Sequence, residues 1–256
     1  GYTVGIIPQP DFTTCESFKV LGKPRLAFLV SAGAMDSMVS NYTANNKPRS
    51  QDAYAHGGVA GHRPDRAIIT YVSKIREAYK GVPVLIGGIE ASLRRTTHYD
   101  YWSNKIRKSI LLDSKADLLM YGMGEHSIIQ IADLLNAGIP VREIRNVRGT
   151  CWWGSNTQLK IENEQILIKG KDGCPDTELT VVCGLSKNNV NHSYKTILLP
   201  GFEEISLNSP ESKIKFAESF VLQEQNTDAL NADILVEQAD TRFVVQNPPS
   251  LPLSTE

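Results

Sequence analysis

Along the first 150 residues, short apolar runs alternate with segments whose apolar positions recur at helical spacing. The runs at 3–8, 25–31, 82–86 and 116–121 are mostly rich in Val, Ile and Leu, as strands buried on both faces should be. Between them, residues 64–80 set Ile68, Val72, Ile75 and Tyr79 on one helical face, and residues 103–112 read as a second helix. A third helix is predicted at 125–136, with Ile128, Ile131, Leu134 and Leu135 inward and Gly138 just past its end. Strand, helix, strand in this rhythm predicts right-handed βαβ units, hence a Rossmann-like α/β fold with a mainly parallel sheet and flanking helices.

The pattern changes after Arg148. Residues 158–161 and 165–168 flank the polar Glu162-Asn163-Glu164, the signature of a hairpin, and 178–183 reads as a further strand. These predict a small β appendage over 151–195, with Cys151, Trp152 and Trp153 packing at its start. A helix at 211–223, a strand at 242–246 and the proline-bearing exit at 248–256 make residues 196–256 an α/β continuation ending in a linker. The reading is therefore a Rossmann-like domain at 1–150, the appendage at 151–195 and the continuation at 196–256. The first residues read as a strand already under way, without an initiator methionine, so both ends are expected to be those of a fragment.

Composition narrows the function classes. A formal net charge of -1 gives no attraction to nucleic acid or to an anionic membrane, which points to a small molecule or another domain as partner. No stretch reaches the ~20 apolar residues of a membrane span, and the first ten residues lack a signal-peptide pattern. Cys15, Cys151, Cys174 and Cys183 are scattered, as free thiols in a reducing compartment would be, so a cytoplasmic location is expected.

Three segments could carry chemistry. Gly87 and Gly88 follow a buried strand and precede Glu90, at the sheet edge where ligands approach the backbone; a plain strand-to-helix turn is the alternative. Gly122 and Gly124 follow the next strand, with Glu125 opening a helix. As a bare pattern this second turn reads equally as a capped turn or a binding loop. In one parallel sheet both turns would share a rim. Between them, Arg94, Arg95, His98 and Tyr99 form a segment able to grip an anionic or planar ligand, or simply to anchor a loop. The loop at 51–64 adds His56 and His62, which have no convincing metal-site partners. No nucleophile elbow, dinucleotide fingerprint, Walker loop or Cys-x-x-x-Cys-x-x-Cys run is present in the sequence.

In order along the chain, these segments resemble the N-terminal part of the YgiQ-type radical SAM proteins. The matching stretches include Ala32-Gly33-Ala34-Met35-Asp36-Ser37-Met38-Val39, Gly87-Gly88-Ile89-Glu90-Ala91-Ser92-Leu93-Arg94-Arg95 and His98-Tyr99-Asp100-Tyr101-Trp102. Residues 116–125 and Asn247-Pro248-Pro249 belong to them as well. The resemblance implies a non-catalytic N-terminal portion, similar to cobalamin-binding domains. Such a portion precedes a barrel of the same polypeptide whose three cysteines hold a 4Fe-4S cluster that reductively cleaves S-adenosylmethionine. It also implies that a Cys-x-x-x-Cys-x-x-Cys motif follows in the reading frame. The chain would then supply a cofactor or substrate surface, with Gly87, Gly88, Glu90, Gly122, Gly124 and Glu125 as cofactor-binding and Arg94, Arg95, His98 and Tyr99 as substrate-binding candidates. The sequence has no Asp-x-His-x-x-Gly segment to offer a histidine to cobalt, so cobalamin is a candidate only by this likeness. A free-standing module for a nucleotide-like ligand and a structural docking domain are the alternatives.

Overall fold

The computed structural model describes residues 1–162, 165–168 and 194–253. In chain order its first half holds β1 (Phe28–Val30), α1 (Ser37–Asn41), α2 (Ala67–Ala78), β2 (Val84–Ile86), α3 (Gly88–Leu93), β3 (His98–Asp100), β4 (Lys105–Arg107), α4 (Ile110–Ser114), β5 (Leu118–Met120) and α5 (Glu125–Asn136). There follow β6 (Thr150–Ser155), β7 (Leu159–Glu162), β8 (Gln165–Ile168), β9 (Thr196–Leu198), α6 (Phe202–Ser206), α7 (Pro210–Gln225), β10 (Ile234–Ala239) and β11 (Arg242–Gln246).

Seven strands make the principal sheet, in the order β1-β2-β5-β6-β11-β10-β9. β1, β2 and β5 are mutually parallel, with Leu29 opposite Leu85 and Leu85 opposite Leu118. β6 pairs antiparallel to β5 and to β11, β11 antiparallel to β10, and β10 parallel to β9. The fold is α/β and Rossmann-like, built on a mixed sheet.

Alternation along the strands creates two cores. Val84 and Ile86 face one side with Ile68, Tyr71, Val72 and Ile75 of α2 and Ile110 and Leu111 of α4. Leu85 and Leu118 face the other, with Ile131 of α5, Trp152, Ile234 and Phe243. Removing each such Leu or Ile side chain from water contributes about 1.5–3 kcal/mol. Helices on both faces explain why β2 is apolar at every position, as its sequence foretells.

The helices at 64–80, 125–136 and 211–223 form close to their expected places. The strand at 242–246 forms as expected, and the 158–168 hairpin is β7 and β8. The expected strand at 178–183 lies outside the described residues. Three expectations are corrected. Residues 3–8 form no strand: Val4 and Ile6 lie exposed on the surface without a ladder partner. Residues 103–112 are not one helix. They contain β4, paired with β3 across a turn where Asn104 sits at φ 49°, and the start of α4, whose first turn is capped when Ser109 Oγ accepts from Leu111 N at 3.2 Å. Finally, Cys151 to Ser155, read as the start of the appendage, lie in β6 at the centre of the main sheet, with Cys151 opposite Leu119 and Gln246. Antiparallel pairing hides such a strand from a βαβ reading, which looks for a crossover helix beside each strand.

Candidate functional site

Because β2 and β5 are adjacent and parallel, the turns that follow them share one rim, as the sequence predicts. The turn after β1 joins them there. The three turns differ in how much room they leave.

Gly87 and Gly88 are packed against the protein. Gly87 N–H donates to Val30 O at 3.0 Å, and a Cβ on Gly88 would meet Ser31 Cβ at 3.2 Å with φ at +79°. Glycine is needed here for the turn and the close approach of β1. Glu90 is buried, and its carboxylate accepts from Ser37 N at 2.9 Å and Ile68 N at 3.0 Å. It therefore satisfies free amides in the first turns of α1 and α2, where helix dipoles favour a negative charge. Gly87 and Glu90 are buried and offer no open group to a cofactor, whereas Gly88 is exposed but has Ser31 close beside it.

The turn after β5 is different. Gly122 sits at φ +68°, and neither Gly122 nor Gly124 has an atom within 4 Å of an added Cβ. Glu125 follows in the exposed first turn of α5. This turn is open.

Arg94 pairs with Asp36, which also caps α1 by accepting from Met38 N and Val39 N, so its charge is spent inside the fold. Arg95 has neutral partners: Nε donates to Gln246 Oε1 at 2.7 Å, Nη1 to Ser92 O at 2.7 Å, and the guanidinium lies 5.1 Å from the Tyr121 ring centroid. It has no carboxylate partner among the described residues. It thus leaves a positive charge beside the residue that leads into Gly122. Burial raises the Tyr121 phenol well above its ordinary value, so it stays neutral and donates to Asn247 O.

His98 and Tyr99 stand apart from this constellation, on the β3–β4 hairpin. His98 Nδ1 donates to Thr96 O at 3.1 Å, and burial lowers the imidazole to about 4, so it is neutral at physiological pH. The space beside it, lined by Arg66, Arg94 and Arg107, measures about 10 Å³, room for one water at most. Tyr99 is exposed and donates to Asn104 Oδ1 at 2.7 Å. The 51–64 loop is tied down by a buried Asp52–Arg63 pair at 3.4 Å, with Arg63 reaching Ala32 O at 3.1 Å.

Sequence reasoning missed the residues that fix the chain's exit. Gly149 N–H donates to Pro248 O at 2.7 Å, Arg148 Nε to Pro249 O at 2.8 Å, and Ser127 and Ser250 hydroxyls are 2.9 Å apart. Asn247 Nδ2 lies 2.8 Å from Arg145 O and 3.0 Å from Val147 O. Ser127 is in the first turn of α5, so the exit leaves beside the open Gly122–Glu125 turn. The Asn-Pro-Pro triplet was the available signal.

The cofactors implied by the resemblance fit these residues poorly. Cys151 is fully buried in β6, where desolvation pushes its thiol up to about 12, and Cys15 lies in a separate N-terminal turn. Among the described residues no three His, Cys, Asp or Glu side chains come together as a metal site. A corrinoid cradled by both glycine turns would meet open space at Gly122 and Gly124 but Ser31 crowded against Gly88. Among the described residues no helix is long and apolar enough to cross a membrane.

Comparison with known sequences finds relatives over the full length of the chain. The family described as Radical SAM N-terminal matches residues 1–256. The chain is 45% identical over 256 residues to a UPF0313 protein of Clostridium botulinum (strain Okra / Type B1), covering 100% of this chain and 34% of that protein. It is also 45% identical to a UPF0313 protein of Thermotoga neapolitana, covering 100% of the chain and 38% of the relative. A Clostridium perfringens UPF0313 protein is 44% identical, with 100% and 33% covered. The chain thus spans about a third of the length of the curated relatives it matches. No solved structure matches it. On the match over its whole length, the chain belongs to the Radical SAM N-terminal family.

Proposed function

We propose that this chain is the non-catalytic N-terminal portion of a radical SAM iron–sulfur enzyme. Its glycine rim is the surface it supplies to the rest of that polypeptide and to the small-molecule ligand handled there. In this reading the 4Fe-4S cluster and S-adenosylmethionine are held by a following barrel, and this chain binds and orients. Gly122, Gly124, Glu125 and Arg95 form the working surface, while Gly87, Gly88, Glu90 and Arg94 hold its floor in shape.

One observation carries the reading. The chain's exit is fastened at the same rim as the open turn, through Gly149, Arg148 and Ser127. Residues 248–250 are thereby held at that rim, on the side of the sheet where the open turn lies. Arg95, held by neutral groups, would face an anionic ligand with its charge intact.

The test is hydrogen exchange on the full-length polypeptide and on residues 1–256 alone. Slower exchange of the amides at 121–127 in the full-length protein is expected. Equal exchange at those amides, with protection appearing elsewhere, would favour a different docking surface.

A further inference from the structure

The opposite end of the sheet holds a cleft of about 670 Å³, a volume in the range of small-molecule sites. It lies at the amino ends of β2 and β5, where Val82, Pro83 and Lys115 precede the strands, beside Trp153 of β6 and Arg242 at the start of β11. Neither the glycine turns nor the exit lines it.

Its charge is one-sided. Arg76, Lys115, Arg142 and Arg242 line it, against one carboxylate, Asp117. Asp117 is already occupied: its Oδ2 accepts from Arg76 Nη2 at 2.7 Å and from Val84 N at 2.8 Å. Lys115, Arg142 and Arg242 have no ion-pair partner among the described residues. Asp240, the acid whose charge Arg242 feels, is paired with Lys108.

The cations are also placed. Trp153 Nε1 donates to Ala116 O at 3.0 Å, which fixes the indole ring. The guanidiniums of Arg142 and Arg242 lie 5.6 and 4.7 Å from its ring centroid. A guanidinium resting on an aromatic face keeps its N–H edges free for a second partner. Lys115 sits at φ 60°, in the left-handed turn that ends α4, and its ammonium touches no described partner. Lys115, Arg142 and Arg242 are exposed around the cleft, so their summed charge is available to an incoming anion.

We propose that this cleft is a second binding site, distinct from the glycine rim, for a small molecule bearing clustered oxyanions. Arg142 and Arg242 would grip the oxyanions by forked hydrogen bonds and Lys115 would add a point charge. The shared chemistry fits a polyphosphate or a polycarboxylate, and two probes separate them.

The experiment is calorimetric titration of the chain with inorganic pyrophosphate and, separately, with citrate, at low and physiological salt. Saturable binding of either probe, weakening as salt rises, is expected, and the tighter probe assigns the oxyanion. Arg142→Gln with Arg242→Gln should weaken it at least tenfold. Lys115→Gln, at an exposed side chain whose ammonium has no hydrogen-bond or ion-pair partner among the described residues, should leave folding untouched and weaken binding severalfold. Lys213→Gln, on exposed α7, should change nothing. No binding at millimolar probe, or binding indifferent to Lys115→Gln and the double variant, or lost equally with Lys213→Gln, would overturn the site.

Discussion

Glu90 links two helices through one carboxylate, taking amide hydrogens from Ser37 and Ile68 while almost wholly buried. Its replacement by Gln keeps the size but loses the charge and one acceptor. A buried amide left unsatisfied costs about 1–3 kcal/mol, so Glu90→Gln should lower the unfolding free energy by that amount, read as a lower denaturation midpoint with the slope unchanged. Glu237 behaves differently. Its carboxylate accepts from Thr97 N at 3.1 and 2.8 Å, yet burial wins and raises it from 4.5 to about 7. The folded chain then holds this proton where the unfolded chain has lost it. Its contribution is fully present below about pH 4.5 and falls as pH rises, until it is lost above about 7. The loss is on the order of 3 kcal/mol. His98 has the opposite sign: lowered to about 4, it makes stability rise with pH up to its ordinary 6.5. The two slopes oppose each other over most of that window. Chemical denaturation of Glu237→Gln from pH 5 to 7.5 should therefore expose the rising His98 slope. An unchanged profile would mean that Glu237 is ionised throughout.

At the scale of elements, the glycine turns that look alike in sequence differ in what surrounds them. Gly88 carries φ +79° and abuts Ser31, so Gly88→Val should destabilise the fold by several kcal/mol, from strain and from the contact together. Gly124 has φ −93° and open space, so Gly124→Val should fold normally and show any effect only in binding at the rim. Thermal melts of the two variants check this pair, and a stable Gly88→Val would remove the packing account. Sequence pattern alone placed β2, β5, α2 and α5 because their apolar periods are long and unbroken. It missed β9, whose partner β10 is distant in sequence, and it missed β10, although Ile234-Leu235-Val236 is an apolar run followed by a tight turn into β11. It misread 103–112 because Ile106, Ile110 and Leu111 mimic a helical face, whereas the turn at Asn104 and the cap at Ser109 break the segment into strand and helix. The candidate site was legible only in part. Glycine spacing marks where backbone turns, but not whether protein or solvent fills the space. Likewise the Arg94-Arg95 pair gives no sign that Asp36 neutralises only the first.

At the scale of the whole molecule, the two ends of the sheet differ. One gathers the open turn after β5 and the exit, and the other gathers the cationic cleft around Trp153. The chain covers about a third of its relatives, and its described cysteines sit apart, Cys151 inside the sheet and Cys15 near the surface. If the chain is the binding portion of a radical SAM enzyme, the encoded sequence beyond Glu256 should carry a Cys-x-x-x-Cys-x-x-Cys motif, the spacing that lets three thiolates hold three irons of a cluster. The most direct measurement is anaerobic reconstitution with iron and sulfide of two proteins side by side, residues 1–256 and the full-length polypeptide, followed by iron content and the visible spectrum. A colourless short chain with no stoichiometric iron is expected, beside about four irons per full-length chain with a broad thiolate-to-iron band. A cluster on residues 1–256 alone, or none on the full-length polypeptide, would contradict that reading.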